Sequence, residues 1–135
     1  MKTKMLPDSL CTKLFTIEQE HRRIAAFADK VLEEMGRCDG SEAITGLLNR
    51  FEILCKLHFL KEEAIMKETG YTFLDDHKRL HELLLINLDK FKQCGDVSAQ
   101  ETVLLFRNIR EDIVTHLLNE GVLLNDFIRL NGCVR

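Results

Sequence analysis

The sequence predicts an all-α protein, an antiparallel up-down-up-down four-helix bundle with a short N-terminal arm, and three observations carry that prediction. Seven glycines and one proline among 135 residues leave long stretches without a helix breaker. In four of those stretches apolar residues recur at steps of three and four, and none alternates with the two-residue period of a strand. The connections between the four are short, which makes sequential helices antiparallel neighbours. Hydrophobic residues at 45% and charged residues at 30% supply a packed interior and argue against disorder. The length fits one domain, divided here into an arm over 1–15 and a bundle over 16–135.

The first helix opens at Thr16, which forms a capping box with Gln19. Its apolar stripe is Ile17, Ile24, Ala28, Val31 and Met35, ending at Gly36. Phe15, just before the cap, has the position of a hydrophobic staple, so the arm is expected to lie along the bundle. Ser41 can cap the second helix, whose inward face holds Leu47, Phe51, Leu54, Cys55, His58, Glu62 and Ile65 until Gly70 stops it. After Tyr71 and Thr72 the third stripe carries Phe73, His77, Leu80, His81, Leu84, Leu88 and Phe91, breaking at Cys94 and Gly95. Ser98 and Glu101 form a second capping box. The fourth stripe is then Ile109, Ile113, His116, Glu120, Leu123 and Phe127, ending before Gly132.

Composition excludes several functions. Nineteen basic against twenty-two acidic residues give a net charge of −3 with the signs interspersed, which argues against a nucleic-acid partner. No apolar run approaches the ~20 residues that span a bilayer, and Met1 to Asp8 lead into no signal-peptide core. A cytoplasmic protein without a membrane partner is expected. Cys11, Cys38, Cys55, Cys94 and Cys133 are widely spaced and contain no Cys-x-x-Cys pair, so a zinc finger or disulfide framework is not indicated and reduced thiols are expected.

The chemistry lies where polar residues interrupt the apolar stripes. His58 and Glu62, His77 and His81, and His116 and Glu120 are each four apart, so each pair projects from one helix face. His21 shares the stripe of Ile17, Ile24 and Ala28. All five histidines of the chain therefore point inward, with two carboxylates in register. One histidine on an apolar face is ordinarily a satisfied core residue. Five with two buried carboxylates call for a shared cation, because a bare carboxylate in a low-dielectric core must be paired, metal-bound or neutralised. Imidazole and carboxylate without thiolate suit iron, zinc, manganese or copper, and the donors exceed what one tetrahedral zinc takes. A dinuclear centre with both carboxylates bridging leaves one position open for a small ligand such as O₂.

These residues resemble the hemerythrins, especially the single-domain bacterial ones, from about Ile17 to Ile128. The resemblance rests on Ile17 Glu18 Gln19 Glu20 His21, on His58 Phe59 Leu60 Lys61 Glu62 Glu63, on His77 Lys78 Arg79 Leu80 His81, and on His116. It implies two iron ions in an oxo- or hydroxo-bridged, haem-free centre. By that resemblance His77, His81 and His116 hold one iron, His21 and His58 the other, and Glu62 bridges, with the open position on the iron of two histidines. The implied ligand is O₂ or another small diatomic, bound reversibly by a carrier, store or sensor module. A di-iron enzyme acting on peroxide, NO or a small substrate, and an iron-buffering protein, are the alternatives.

The chain departs from the family twice. Where the family places a bridging Asp five residues after the last His, this chain has Gly121, and Glu120 is the candidate substitute; an i+4 spacing turns about 40° from His116 whereas i+5 turns about 140°. If Glu120 does not bridge, more than one position opens. There is also no Trp, and the place four before the last His is Asp112. Ile24, Phe59, Ile113 and Leu117 are expected to line the ligand pocket. Cys55 also looks toward the centre, as a small buried hydrophobe or a neighbour of the site. Glu18 and Asp76 are candidates to orient imidazoles or else belong to a solvated face.

Overall fold

The computed structural model describes residues 8–37, 41–93 and 99–130. They form four helices, α1 (Asp8–Arg37), α2 (Ser41–Thr69), α3 (Leu74–Lys92) and α4 (Ala99–Leu130). α1 and α3 each pack against both α2 and α4, the arrangement of a four-helix bundle. No described helix is long and apolar enough to cross a membrane.

α1 begins earlier than its capping box suggested. Thr16 lies inside the helix and Phe15 is more than half exposed, so neither the cap at Thr16 nor the staple at Phe15 forms. The reason is local: no glycine or proline separates Asp8 from Thr16, and a helix that can continue upstream leaves no free N–H groups for Thr16 to cap. The boundary between an arm over 1–15 and a bundle from 16 therefore falls within a continuous helix. Residues 1–7 and Ser98, with its capping box, lie outside the described residues, as does the side chain of Ser41.

The α2–α3 turn is a Schellman motif. Gly70 adopts φ 73°, a left-handed conformation that glycine takes without a Cβ penalty. The Tyr71 N–H then reaches the Met66 carbonyl at 2.8 Å and the Gly70 N–H reaches that of Lys67 at 3.3 Å. Tyr71 and Met66 bury their side chains in the same apolar cluster, the hydrophobic contact that accompanies this cap. The turn sets where α3 starts, and hence the height of His77 in the bundle. Asp75 and Asp76 in the first turn of α3 and Lys90 and Lys92 in its last complement the helix dipole.

The core is divided. One apolar cluster contains Ile24, Ala28, Phe51, Cys55, Phe59, Leu84, Leu88, Ile113 and Leu117, and a second contains Ile17, Ile65, Met66, Tyr71 and Leu124. Along every helix the histidine positions fall between residues of the two clusters, so a polar layer is enclosed by apolar material on both sides. Three expected interior residues lie outside it: Phe73, Leu80 and Leu123 are 60%, 42% and 52% exposed. Phe73 precedes α3 as its N-cap residue. Leu80 sits at the edge of its stripe. On α4 the buried register runs Ile113, Leu117, Leu124, and Leu123 is turned about 100° from Leu124. Phe127 lies outside the described side chains.

Candidate metal centre

Glu62 is the hub of the polar layer. It is fully buried on α2, and its two oxygens face different histidines. Oε1 is 2.8 Å from His77 Nε2 and 3.0 Å from His81 Nε2, both on α3. Oε2 is 3.4 Å from His21 Nε2 on α1 and 3.6 Å from His58 Nε2 on its own helix. His116 on α4 closes the ring of imidazoles, 4.9 Å centroid to centroid from both His77 and His81. Ligand atoms of Glu62, His77, His81 and His116 lie within 4.8 Å of one another, as do those of His21, His58 and Glu62.

Burial pushes the Glu62 carboxyl up, but the imidazoles of His21, His58, His77 and His81 around it outweigh that and hold the group well below the usual carboxylate range. Burial, aided by the neighbouring His81, pushes His116 down to about 3, so it is a neutral imidazole. An ionised Glu62 beside a neutral His116 is the protonation state that binds metal. Nε2 of His58 and of His116 is buried without a hydrogen-bond partner among the described residues. Orphaned buried nitrogens are costly, and a cation in the layer would satisfy them.

The outer faces of two imidazoles are also held. His58 Nδ1 donates to Glu20 Oε1 at 3.0 Å and His81 Nδ1 donates to Glu63 Oε2 at 2.5 Å, which turns each Nε2 toward the centre. Lys61 Nζ donates to Glu20 Oε2 at 2.7 Å. Burial raises the Glu20 carboxyl, and Lys61 and His58 together bring it below its ordinary value. The sequence reading looked for these acceptors in Glu18 and Asp76, which are exposed at the surface. Glu20 and Glu63 were missed because each serves an imidazole of the next helix. The available signal was their place, about 100° round the helix from His21 and Glu62 and therefore facing a neighbouring helix.

Apolar residues complete the enclosure. Phe59 stacks on His81, centroids 4.0 Å apart and planes at 8°, and meets His116 edge-on at 5.8 Å. Ile24, Ile113 and Leu117 are buried in the same cluster as Phe59. Outside the bundle, a groove of about 470 Å³ between α2 and α3 has Phe59, Glu63 and His81 in its wall. The position of Glu120 is in α4, but its side chain lies outside the described residues.

Residues 12–124 match the Hemerythrin HHE cation binding domain family. The chain belongs to the hemerythrin family. A bacteriohemerythrin of Stenotrophomonas maltophilia is 30% identical over 133 residues, covering 90% of this chain and 84% of that protein. One of Pseudomonas paraeruginosa is 27% identical over 113 residues, covering 78% and 73%. One of Campylobacter jejuni is 24% identical over 74 residues, covering 55% and 56%. No solved structure matches the chain. In this hemerythrin-family bundle the clustered histidines and glutamate form a site that could bind metal.

Cys55 has no place in either donor group. It is fully buried in the larger apolar cluster, and burial, with Glu52 nearby, pushes its thiol up to about 12. Such a thiol stays protonated and behaves as a hydrophobe. In the native protein at pH 8, Cys55 should remain unmodified by iodoacetamide while becoming fully reactive in denaturant, as read by peptide mass mapping. Labelling in the native state at the denatured rate would show that the core around it opens.

Proposed function

We propose that the chain is a non-haem di-iron protein that binds O₂ reversibly at a centre held by His21, His58, Glu62, His77, His81, His116 and Glu120. One observation carries the reading: a single buried carboxylate offers one oxygen to His77 and His81 and the other to His21 and His58. That is the arrangement a carboxylate bridging two cations requires. His77, His81 and His116 would hold one iron, and His21 and His58 the other. Bound there, the pair of irons would supply the electrons and the open position that a diatomic ligand needs. The protein's own part is to orient Nε2 of His58 and His81 through Glu20 and Glu63, and to exclude water with Ile24, Phe59, Ile113 and Leu117.

Register supports Glu120 as a second bridge. At about 100° per residue, position 120 falls inside the sector between His116 and Leu117, both buried, whereas position 121 falls outside it. Glu120→Ala should therefore shorten the lifetime of the O₂ adduct and speed autoxidation about tenfold or more, while Gly121→Asp should alter ligand binding by offering a competing carboxylate. An Ala variant with unchanged adduct lifetime would remove Glu120 from the centre and favour an enzyme acting on peroxide or NO.

The experiment for the reading as a whole is metal analysis of the anaerobically reduced protein, with visible spectra before and after air and after removal of O₂. About two irons per chain and a colour that comes and goes with O₂ are expected. A stoichiometry near one, or a change that O₂ removal does not reverse, would refute it.

A further inference from the structure

Resting on the dinuclear reading above, we propose that the centre fills in order. The half formed by Glu62, His77, His81 and His116 takes the first divalent cation and retains it. The half formed by His21, His58 and Glu62 takes the second and exchanges it with solvent past His21.

Four differences between the halves point this way. The first is donor number, since one group has four donors and the other three among the described residues. A second bridging carboxylate would serve both halves and leave that difference intact. Preorganisation differs as well: Glu62 Oε1 already lies 2.8 and 3.0 Å from its histidines, whereas Oε2 is 3.4 and 3.6 Å from His21 and His58. The tighter group has less freedom to lose when it closes on a cation.

Exposure is the third difference. All four members of the first group are buried, whereas the His21 side chain keeps 12% of its surface open and is flanked by the exposed Glu18 and Arg22. A cation leaving the second half passes the partly open His21, whereas all four donors of the first are buried. The fourth is electrostatic. Glu63 bonds His81 at 2.5 Å, whereas the carboxylate behind His58 is shared with the Lys61 ammonium at 2.7 Å. Lys61 draws off part of the Glu20 charge and leaves His58 the weaker donor. Once the first half is filled, the second cation also enters against a positive neighbour.

Anaerobic titration of the metal-free full chain with Co²⁺, followed by visible absorption and calorimetry, tests the proposal. Two steps separated by at least about tenfold in affinity are expected. His21→Gln should leave the tight step in place and abolish the weak one, and His116→Gln should weaken the tight step. A measurement on the unaltered protein needs no variant to fold: excess chelator should strip one equivalent at least about tenfold faster than the other. Two equivalents that enter with one affinity and leave together would overturn the ordered filling while leaving a dinuclear centre standing. Equal weakening of both steps by His21→Gln would overturn it too. Uptake of one equivalent or none would overturn the dinuclear reading and the proposal with it.

Discussion

Glu62→Ala is expected to produce the largest loss of any single substitution in this chain, removing metal from both halves of the centre together. Each Glu62 oxygen serves two histidines, so the change takes a donor from each half and the only buried negative charge among the members of the two donor groups. Metal content of the purified variant should fall to near zero. The metal-free protein should also suffer, because the imidazole nitrogens of His21, His77 and His81 lose the acceptor at their centre. Each buried donor left without its partner costs about 1–3 kcal/mol, which summed over this site lowers Tm on the order of 10 °C. Glu62→Gln separates the two effects. The amide keeps the volume and part of the hydrogen bonding, so the fold should survive, yet it cannot bridge two cations. Thermal melts and metal analysis of both variants decide the matter, and a Gln variant that retains a full metal complement would show that Glu62 is not the bridge.

Phe59→Ala comes second. The ring is buried, stacked on His81 and set edge-on to His116, and its removal leaves a void beside two imidazoles. Truncation of a buried Phe costs about 3–5 kcal/mol, to be read from denaturant unfolding. The functional effect has a separate cause. Phe59 and His81 share the wall of the groove of about 470 Å³ on the α2–α3 face, so shortening Phe59 widens the way from that groove into the polar layer. Under the proposed function the O₂ adduct should autoxidise about tenfold faster or more, as expected when the apolar shell of a metal site is breached. Phe59→Leu should keep most of the stability. An Ala variant as stable as the parent, with an adduct equally long-lived, would mean that the helices close over the void and that Phe59 seals nothing.

The sequence by itself determined the four helices and set six of the side chains that cluster in the polar layer on inward faces. Helical register is a local property: a residue's face follows from its distance to the next apolar residue. The polar interruptions His21, His58, Glu62, His77, His81 and His116 could therefore be placed on inward stripes before any helix was packed. Register also put Ile24 and Ile113 inside, where burial agrees, while Phe59 and Leu117, buried as well, lie off the stripes that register picked out. What only the tertiary structure decided lies at the boundaries between helices. How Glu62 divides its oxygens depends on the heights of α1 and α3 beside α2, which no spacing within α2 encodes. Glu20 reaching His58 and Glu63 reaching His81 are contacts between helices, so a search along single stripes chose Glu18 and Asp76 instead. Leu80 and Leu123 lie at stripe edges, where the packing angle between neighbours, not periodicity, determines what is covered. The start of α1 shows the same limit from the other side, because a capping box acts only where a helix has to begin, and nothing upstream of Thr16 obliges this one to begin there.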